Sequence, residues 1–122
     1  MAQESGRFPR SVYGQGEEPD PRFTLANERT FLAWIRTGLA LIAVGVAVEA
    51  FAEPGMSLAR RAASVLLLAA GVLVPVQAWL AWRRTELAIR LGRPLPGGSG
   101  AILLVILIAL SAVLVLLSVP GT

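Results

Sequence analysis

The chain has 122 residues, of which 55% are hydrophobic and only 16% are charged. Soluble domains carry about 25% charged residues, so this chain has too few charges to cover a water-facing surface. It contains neither cysteine nor histidine, which excludes disulfides, thiolate and imidazole metal ligands, and catalysis by a Cys–His or Ser–His pair. The composition therefore predicts a small membrane protein and argues against most enzyme classes. We expect no enzymatic activity, no cofactor and no metal site.

Residues 1–23 form a polar arm that contains several prolines and glycines and nearly balanced charges. No apolar run in this arm resembles the core of a signal peptide. Such a composition is typical of a disordered tail. We therefore expect a disordered N-terminal arm over residues 1–23 and a membrane domain over residues 24–119.

Three apolar segments follow, at about residues 31–51, 62–82 and 101–119. A helix rises about 1.5 Å per residue, so each segment can cross a hydrocarbon core of roughly 30 Å. The predicted fold is all-α, with three transmembrane helices in a small bundle. Thr24 or Asn27 is a candidate cap of the first helix. The second helix is expected to end at about Leu91, before a glycine and two prolines.

The arginines predict the orientation. Four lie before the first apolar segment and four lie between the second and third, whereas the first loop has two and the C-terminal tail has none. Loops rich in arginine stay in the cytoplasm. We therefore expect a multi-pass cell (inner) membrane protein with a cytoplasmic N-terminus and an external C-terminus. Because these arginines flank membrane spans, the basic charge does not indicate binding to nucleic acid.

Arg36 makes the first helix unusual, because it interrupts the apolar segment. The uncharged remainder, residues 37–48, covers only about 18 Å, so Arg36 must enter or approach the membrane. An arginine at the bilayer centre costs about 2.5–3.5 kcal/mol on insertion scales, and less near an interface. One interpretation is that the Arg36 side chain snorkels to the headgroups.

The spacing of small residues and arginines suggests a second interpretation. They recur every three or four positions and so share one face of the first helix: Arg29, Ala33, Arg36, Ala40, Ala43, Ala47 and Ala50. Small residues allow helices to approach closely in lipid. This stripe is therefore either a packing seam within one protomer or, in an oligomer, a surface around a shared axis. Rings of arginine on such an axis select anions and phosphates.

Residues 25–37 read LANERTFLAWIRT, which resembles the signature of the YidH-like bacterial membrane proteins, the family named domain of unknown function 202. The same domain is similar to the membrane part of the eukaryotic vacuolar transporter chaperone complex. That resemblance implies that Arg29 and Arg36 line a pore for polyphosphate, whereas polyphosphate synthesis is not implied. The other signature residues are expected to be structural: Asn27, Glu28, Thr30, Trp34 and Thr37.

The leading hypothesis is a homo-oligomeric membrane domain that binds or passes phosphate-rich anions through Arg29 and Arg36. Its expected partners are the lipid bilayer, further copies of the chain and phosphate or polyphosphate. The alternative is an accessory or anchoring subunit of a membrane complex that transports nothing. Two ion pairs are also expected, between Glu28 and a nearby arginine and between Glu86 and Arg90, which are four residues apart on one helix.

Overall fold

The structure, a computed structural model, describes residues 7–51, 55, 57–97 and 99–119, with the backbone alone at Ser99. The described residues form four helices and no strand, which confirms the predicted all-α fold. The helices are α1 (Arg10–Tyr13), α2 (Pro21–Ala50), α3 (Leu58–Leu91) and α4 (Ser99–Leu117).

Three of these helices are long and apolar enough to cross a membrane, as the sequence predicts: Pro21–Ala50, Leu58–Leu91 and Gly100–Leu117. Helix α2 has 30 residues and α3 has 34, which corresponds to about 45 and 51 Å of helix. A hydrocarbon core of about 30 Å leaves one or more turns of each outside it. The end of α3 at Leu91 agrees with the predicted end, and Gly92 follows it with a φ of 67°.

Helix α2 begins before both of the predicted caps, Thr24 and Asn27. Pro21 is its first residue, which suits a proline because the first helical N–H has no partner within the helix. Asp20 provides the cap, since its Oδ1 accepts a hydrogen bond of 2.9 Å from the backbone N–H of Arg22. Bonds from Arg22 to the carboxylate also hold the pKa of Asp20 below its usual value. Thr24 and Asn27 therefore lie inside the helix.

The chain divides into two compact units. Within the described residues, the first unit comprises 7–33 and 77–97, and the second comprises 34–51, 55, 57–76 and 99–119. The core of the second unit is a cluster of four buried side chains, Leu41, Leu67, Ala70 and Val74. Trp34, Val48, Leu104 and Leu107 pack against this cluster, so α2, α3 and α4 all contribute to it.

Glycines bring α2 and α3 into close contact within the second unit. A Cβ atom added at Gly71 would lie 2.4 Å from Cγ1 of Ile42 and 3.1 Å from the carbonyl oxygen of Gly38. A Cβ atom at Gly45 would lie 2.9 Å from Cγ of Leu68. Without a hydrophobic force between helices in lipid, such close van der Waals contact is a main source of helix association.

The same contact includes a hydrogen bond between helices. The buried hydroxyl of Ser64 donates to the carbonyl oxygen of Gly45 at 3.0 Å. We expect Ser64→Ala to lower the free energy of unfolding by about 0.6 kcal/mol, the average for such bonds in membranes. Ser111→Ala is the matched control, because its hydroxyl bonds the carbonyl of Leu107 in its own helix at 2.8 Å. Unfolding in mixed micelles of increasing dodecyl sulfate content measures both changes, and an equal loss in the two variants would contradict the expectation.

The N-terminal segment, residues 7–20, makes defined contacts in the structure, whereas residues 1–6 of the predicted disordered arm lie outside the described residues. It contains the single turn α1, in which Val12 is fully buried. The ring of Tyr13 lies 6.3 Å from that of Trp82 on α3. Gly16, with a φ of 62°, brings the chain so close to α3 that the N–H of Glu17 bonds the carbonyl oxygen of Arg90 at 3.2 Å. The composition of the segment does not indicate these contacts, because most of them are to residues about 70 positions away.

Candidate functional site

The signature residues on α2 point in different directions. Asn27 is buried, Trp34 and Thr37 are half-buried, and the remaining four are exposed: Glu28, Arg29, Thr30 and Arg36. Trp34 packs against the core of the second unit. The hydroxyl of Thr30 donates to the carbonyl of Ala26 one turn earlier, at 3.2 Å. The signature thus combines packing positions with an exposed polar surface.

Asn27 belongs to a buried polar network in the first unit. Its Nδ2 donates to Oε2 of Glu86 at 3.0 Å and to the carbonyl oxygen of Trp82 at 3.1 Å. Thr24 donates its hydroxyl to Oε1 of Glu86 at 2.8 Å. Both oxygens of the fully buried Glu86 carboxylate therefore accept a hydrogen bond from α2. A buried carboxylate needs such donors, because burial removes its contacts with water.

The sequence predicts a different partner for Glu86, because Arg90 lies one turn further along the same helix. The residues that reach its two oxygens are Thr24 and Asn27, which are 62 and 59 positions away. These two residues are three apart and so share a face of α2. That spacing was the available signal, but nothing in a single sequence indicates which residue of another helix a polar face will meet.

Arg29 and Arg36, the predicted anion-binding residues, are both exposed on α2. Arg29 belongs to the first unit and Arg36 to the second. Within the described part of the chain, neither has a carboxylate or other hydrogen-bond partner. Glu28 is exposed and also makes no ion pair with a described residue, so its predicted pairing with a nearby arginine does not occur.

The small residues of the predicted stripe are not a seam within the units. Four of its alanines are exposed and Ala47 is half-buried. The buried residues of α2 in the second unit lie on a neighbouring face and are Gly38, Leu41 and Gly45. The packing interpretation therefore applies to those three residues, whereas most of the stripe, with its arginines, is exposed among the described residues.

Arg90 is the most enclosed cation among the described residues, with 1% of its side chain exposed. Its Nε donates to the carbonyl of Gln15 at 2.8 Å and its Nη2 to the carbonyl of Tyr13 at 3.2 Å. Its Nη1 lies 3.4 Å from Oε2 of Glu18, which Arg7 also contacts. The sequence gives no signal for this site, because the composition of the N-terminal segment is typical of a disordered tail.

The aromatic ring of Tyr13 lies beside the same contact. The guanidinium of Arg7 lies 4.3 Å from the centre of the Tyr13 ring and that of Arg90 lies 5.5 Å from it. Trp79 stacks on Trp82 with ring centres 5.2 Å apart. Burial raises the pKa of the Tyr13 phenol above its usual value, and the charge of Glu86 raises it further. Tyr13 therefore stays protonated and neutral at physiological pH.

Two cavities adjoin these contacts in the first unit. A largely apolar cavity of about 640 Å³ lies beside the network, with Phe23, Ala26 and Ile89 among its lining residues. A more polar cavity of about 530 Å³ is lined by Gly16, Glu18 and Arg90, among others. The described residues contain no group of three or more side chains suited to holding a metal.

Comparison with known proteins agrees with the signature. The family model "Domain of unknown function (DUF202)" matches residues 22–88. Inner membrane protein YidH of Escherichia coli K12 is 38% identical over 102 residues, which cover 83% of this chain and 89% of that protein. The uncharacterized protein MT2333 of Mycobacterium tuberculosis is 39% identical over 83 residues, or 65% of this chain and 66% of that protein.

No solved structure matches the chain. The family match covers more than half of the residues and includes the signature, the buried Asn27–Glu86 network and both candidate arginines. The relative from Escherichia coli is similar along nearly its whole length. The chain therefore belongs to the DUF202 family, as a multi-pass membrane protein of the YidH type.

Proposed function

We propose that this protein is a homo-oligomeric membrane domain that binds or passes phosphate-rich anions through Arg29 and Arg36. The observation that supports this most directly is the exposure of both arginines, without a carboxylate partner among the described residues. An arginine facing lipid inside a span is costly. Covering the stripe with further copies would remove the Arg36 side chain from lipid and place it on a shared surface.

The proposed topology follows from the arginines of the first unit. The N-terminus and the loop between α3 and α4 face the cytoplasm, and the C-terminus lies outside. The name of the relative from Escherichia coli supports a location in the inner membrane. In this orientation Arg29 lies at the cytoplasmic end of the first span, about 10 Å along the helix axis from Arg36.

Reconstituted liposomes test the anion function. The expected result is efflux of phosphate or short polyphosphate from vesicles containing the wild type, lowered about tenfold by Arg36→Gln, since a pore selects anions through its ring of cations. Arg61→Gln is the matched control, because Arg61 is exposed and lies in the first turn of α3. It should leave the flux unchanged. A monomer in native nanodiscs, or equal flux in all three proteins, would contradict the proposal.

A second candidate function, a non-transporting accessory or anchoring subunit, is supported by the apolar cavity of about 640 Å³ in the first unit. Such a cavity can accept an apolar side chain or helix end from another protein. Crosslinking in native membranes should then recover a partner in fixed stoichiometry, and Ala26→Trp should abolish its capture by filling the cavity. Capture of the chain alone would count against this function.

A further inference from the structure

Neither of the functions proposed above uses Arg90, although its contacts are unusual for a cation. Among the described residues, its three nitrogens reach two backbone carbonyls and the Glu18 carboxylate, all of which belong to the N-terminal segment. The same guanidinium donors can bind a phosphate group through two parallel bonds. The N-terminal segment therefore occupies positions that a phosphate-class oxyanion would take.

The Arg90 contact is accessible from solvent although Arg90 itself is enclosed. The side chain of Glu18 is 45% exposed, against 1% for that of Arg90. The cavity of about 530 Å³ is lined by both residues and by Gly16 and Gly92. A small anion can therefore reach the edge of the contact before the N-terminal segment leaves.

The apolar attachment of the N-terminal segment is small. Its helix α1 has four residues. Over residues 7–20 only Pro9 and Val12 are buried, and Tyr13 is half-buried against Trp82. Phe8 remains 85% exposed. Segments with few buried apolar contacts open locally at a low free-energy cost, well below that of global unfolding. A moderate competing interaction at Arg90 is therefore sufficient to shift the segment towards an open state.

Positive charge in the first unit favours the arrival of anions. Its described residues carry eight arginines and five carboxylates. Four of these arginines are exposed and have no ion-pair partner among the described residues: Arg10, Arg29, Arg84 and Arg93. Clustered cations raise the local concentration of anions. Arg90 lies eight residues beyond the last residue of the predicted second span, or about 12 Å, which favours a soluble anion over a lipid headgroup.

We propose that Arg90 is a binding site for a soluble phosphate-class oxyanion, and that the N-terminal segment is a strap that competes for it. In the closed state the carbonyls of Tyr13 and Gln15 and the carboxylate of Glu18 satisfy Arg90. In the open state the oxyanion takes their place. The site is separate from Arg29 and Arg36 and does not depend on passage of anions through the membrane.

Gly16 allows the strap to be opened without changing any charge. A Cβ atom there would lie 2.3 Å from the carbonyl oxygen of Arg90, and its φ of +62° disfavours other residues. Gly16→Ala should therefore increase amide hydrogen exchange over residues 7–20, measured by mass spectrometry in phosphatidylcholine nanodiscs. Gly97→Ala is the matched control, since a Cβ atom there meets nothing within 4 Å. It should exchange as the wild type does.

Tripolyphosphate tests the competition, with chloride added to the reference sample to equal ionic strength. It should increase exchange of residues 7–20 in the wild type and leave the already open Gly16→Ala variant unchanged. Because no closed strap competes in that variant, it should bind tripolyphosphate at least about fivefold more tightly than the wild type. Arg90→Gln in the Gly16→Ala background should remove this gain.

Three outcomes would overturn the proposal. The first is equal exchange of residues 7–20 in the wild type and Gly16→Ala, and the second is equal affinity of the two proteins for tripolyphosphate. The third is increased exchange of residues 7–20 in nanodiscs that contain phosphatidylglycerol, in the absence of tripolyphosphate. That result would assign the site to a lipid headgroup. The double variant Arg29→Gln/Arg36→Gln should still open with tripolyphosphate, so a failure of the anion-passage function leaves this test intact.

Discussion

Replacing Asn27 by leucine is expected to destabilise the first unit by about 3 kcal/mol. The change removes the donor to Oε2 of Glu86 and leaves a fully buried carboxylate short of a hydrogen bond. Leaving a buried charged group without a hydrogen-bond partner destabilises a fold more than leaving a neutral group without one. The loss of free energy also exceeds the net contribution of the hydrogen bond itself. The free energy of unfolding in mixed micelles, followed by near-ultraviolet circular dichroism of the tryptophans, measures the effect.

Two further variants show whether the buried carboxylate is the cause. Thr30→Ala is the matched control, since this signature residue is exposed and bonds only the carbonyl of its own helix among the described residues; it should cost no more than about 0.5 kcal/mol. In the double variant Asn27→Leu/Glu86→Leu part of the stability should return, because the carboxylate and its Asn27 donor are both replaced by apolar groups, whereas Thr24 loses its acceptor. If the stability losses of the two single substitutions simply add in the double variant, Asn27 stabilises the unit through packing and not through its bond to Glu86.

Replacing Gly71 by leucine is expected to separate α2 from α3 in the second unit. Even the first added carbon would lie 2.4 Å from Cγ1 of Ile42 and 3.1 Å from two backbone atoms, the oxygen of Gly38 and the nitrogen of Ile42. Backbone atoms of packed helices cannot yield without moving the helices apart. Overpacking typically costs 1–3 kcal/mol, so we expect about 3 kcal/mol for leucine and less for alanine.

Ala69→Leu provides the comparison for this prediction. Ala69 is exposed two residues earlier on the same helix, so the same side chain there projects away from the protomer and should have little effect on unfolding. The dodecyl sulfate content at which half of the protein is unfolded should fall for Gly71→Leu alone. If the two variants unfold together, close contact at Gly71 does not stabilise the second unit.

The membrane segments were predictable because the bilayer imposes its thickness on the sequence. Each of the three apolar runs became a helix, and α3 ends at Leu91 as the following Gly92 indicates. The cap of α2 was mistaken because Asp20 and Pro21 lie in a segment whose proline content suggested disorder. Local signals for a helix start existed there, but Asn27 is as good a cap as Asp20 on the basis of residue type, and Thr24 is also a favoured cap.

The polar contacts were not predictable from one chain alone. Asn27 was interpreted as a cap and Glu86 as a partner of Arg90, because residue type and spacing along one helix support both interpretations. In the structure Asn27 reaches Glu86 across 59 positions, and Arg90 reaches Tyr13 across 77. Contacts of this separation depend on how two helices are rotated about their axes, and the residues of one helix do not specify that rotation.

The hydropathy and arginine pattern of this chain already determined that it is an all-helical membrane protein, because hydrocarbon demands about 20 apolar residues per crossing and lipid tolerates few charges. Tertiary packing determined which arginines are engaged. It enclosed Arg90 beneath the N-terminal segment and left Arg29 and Arg36 exposed. The physical reason is that charge and exposure are different properties: side-chain type sets the charge, whereas the close approach of α2, α3 and the N-terminal segment sets which charges meet an acceptor.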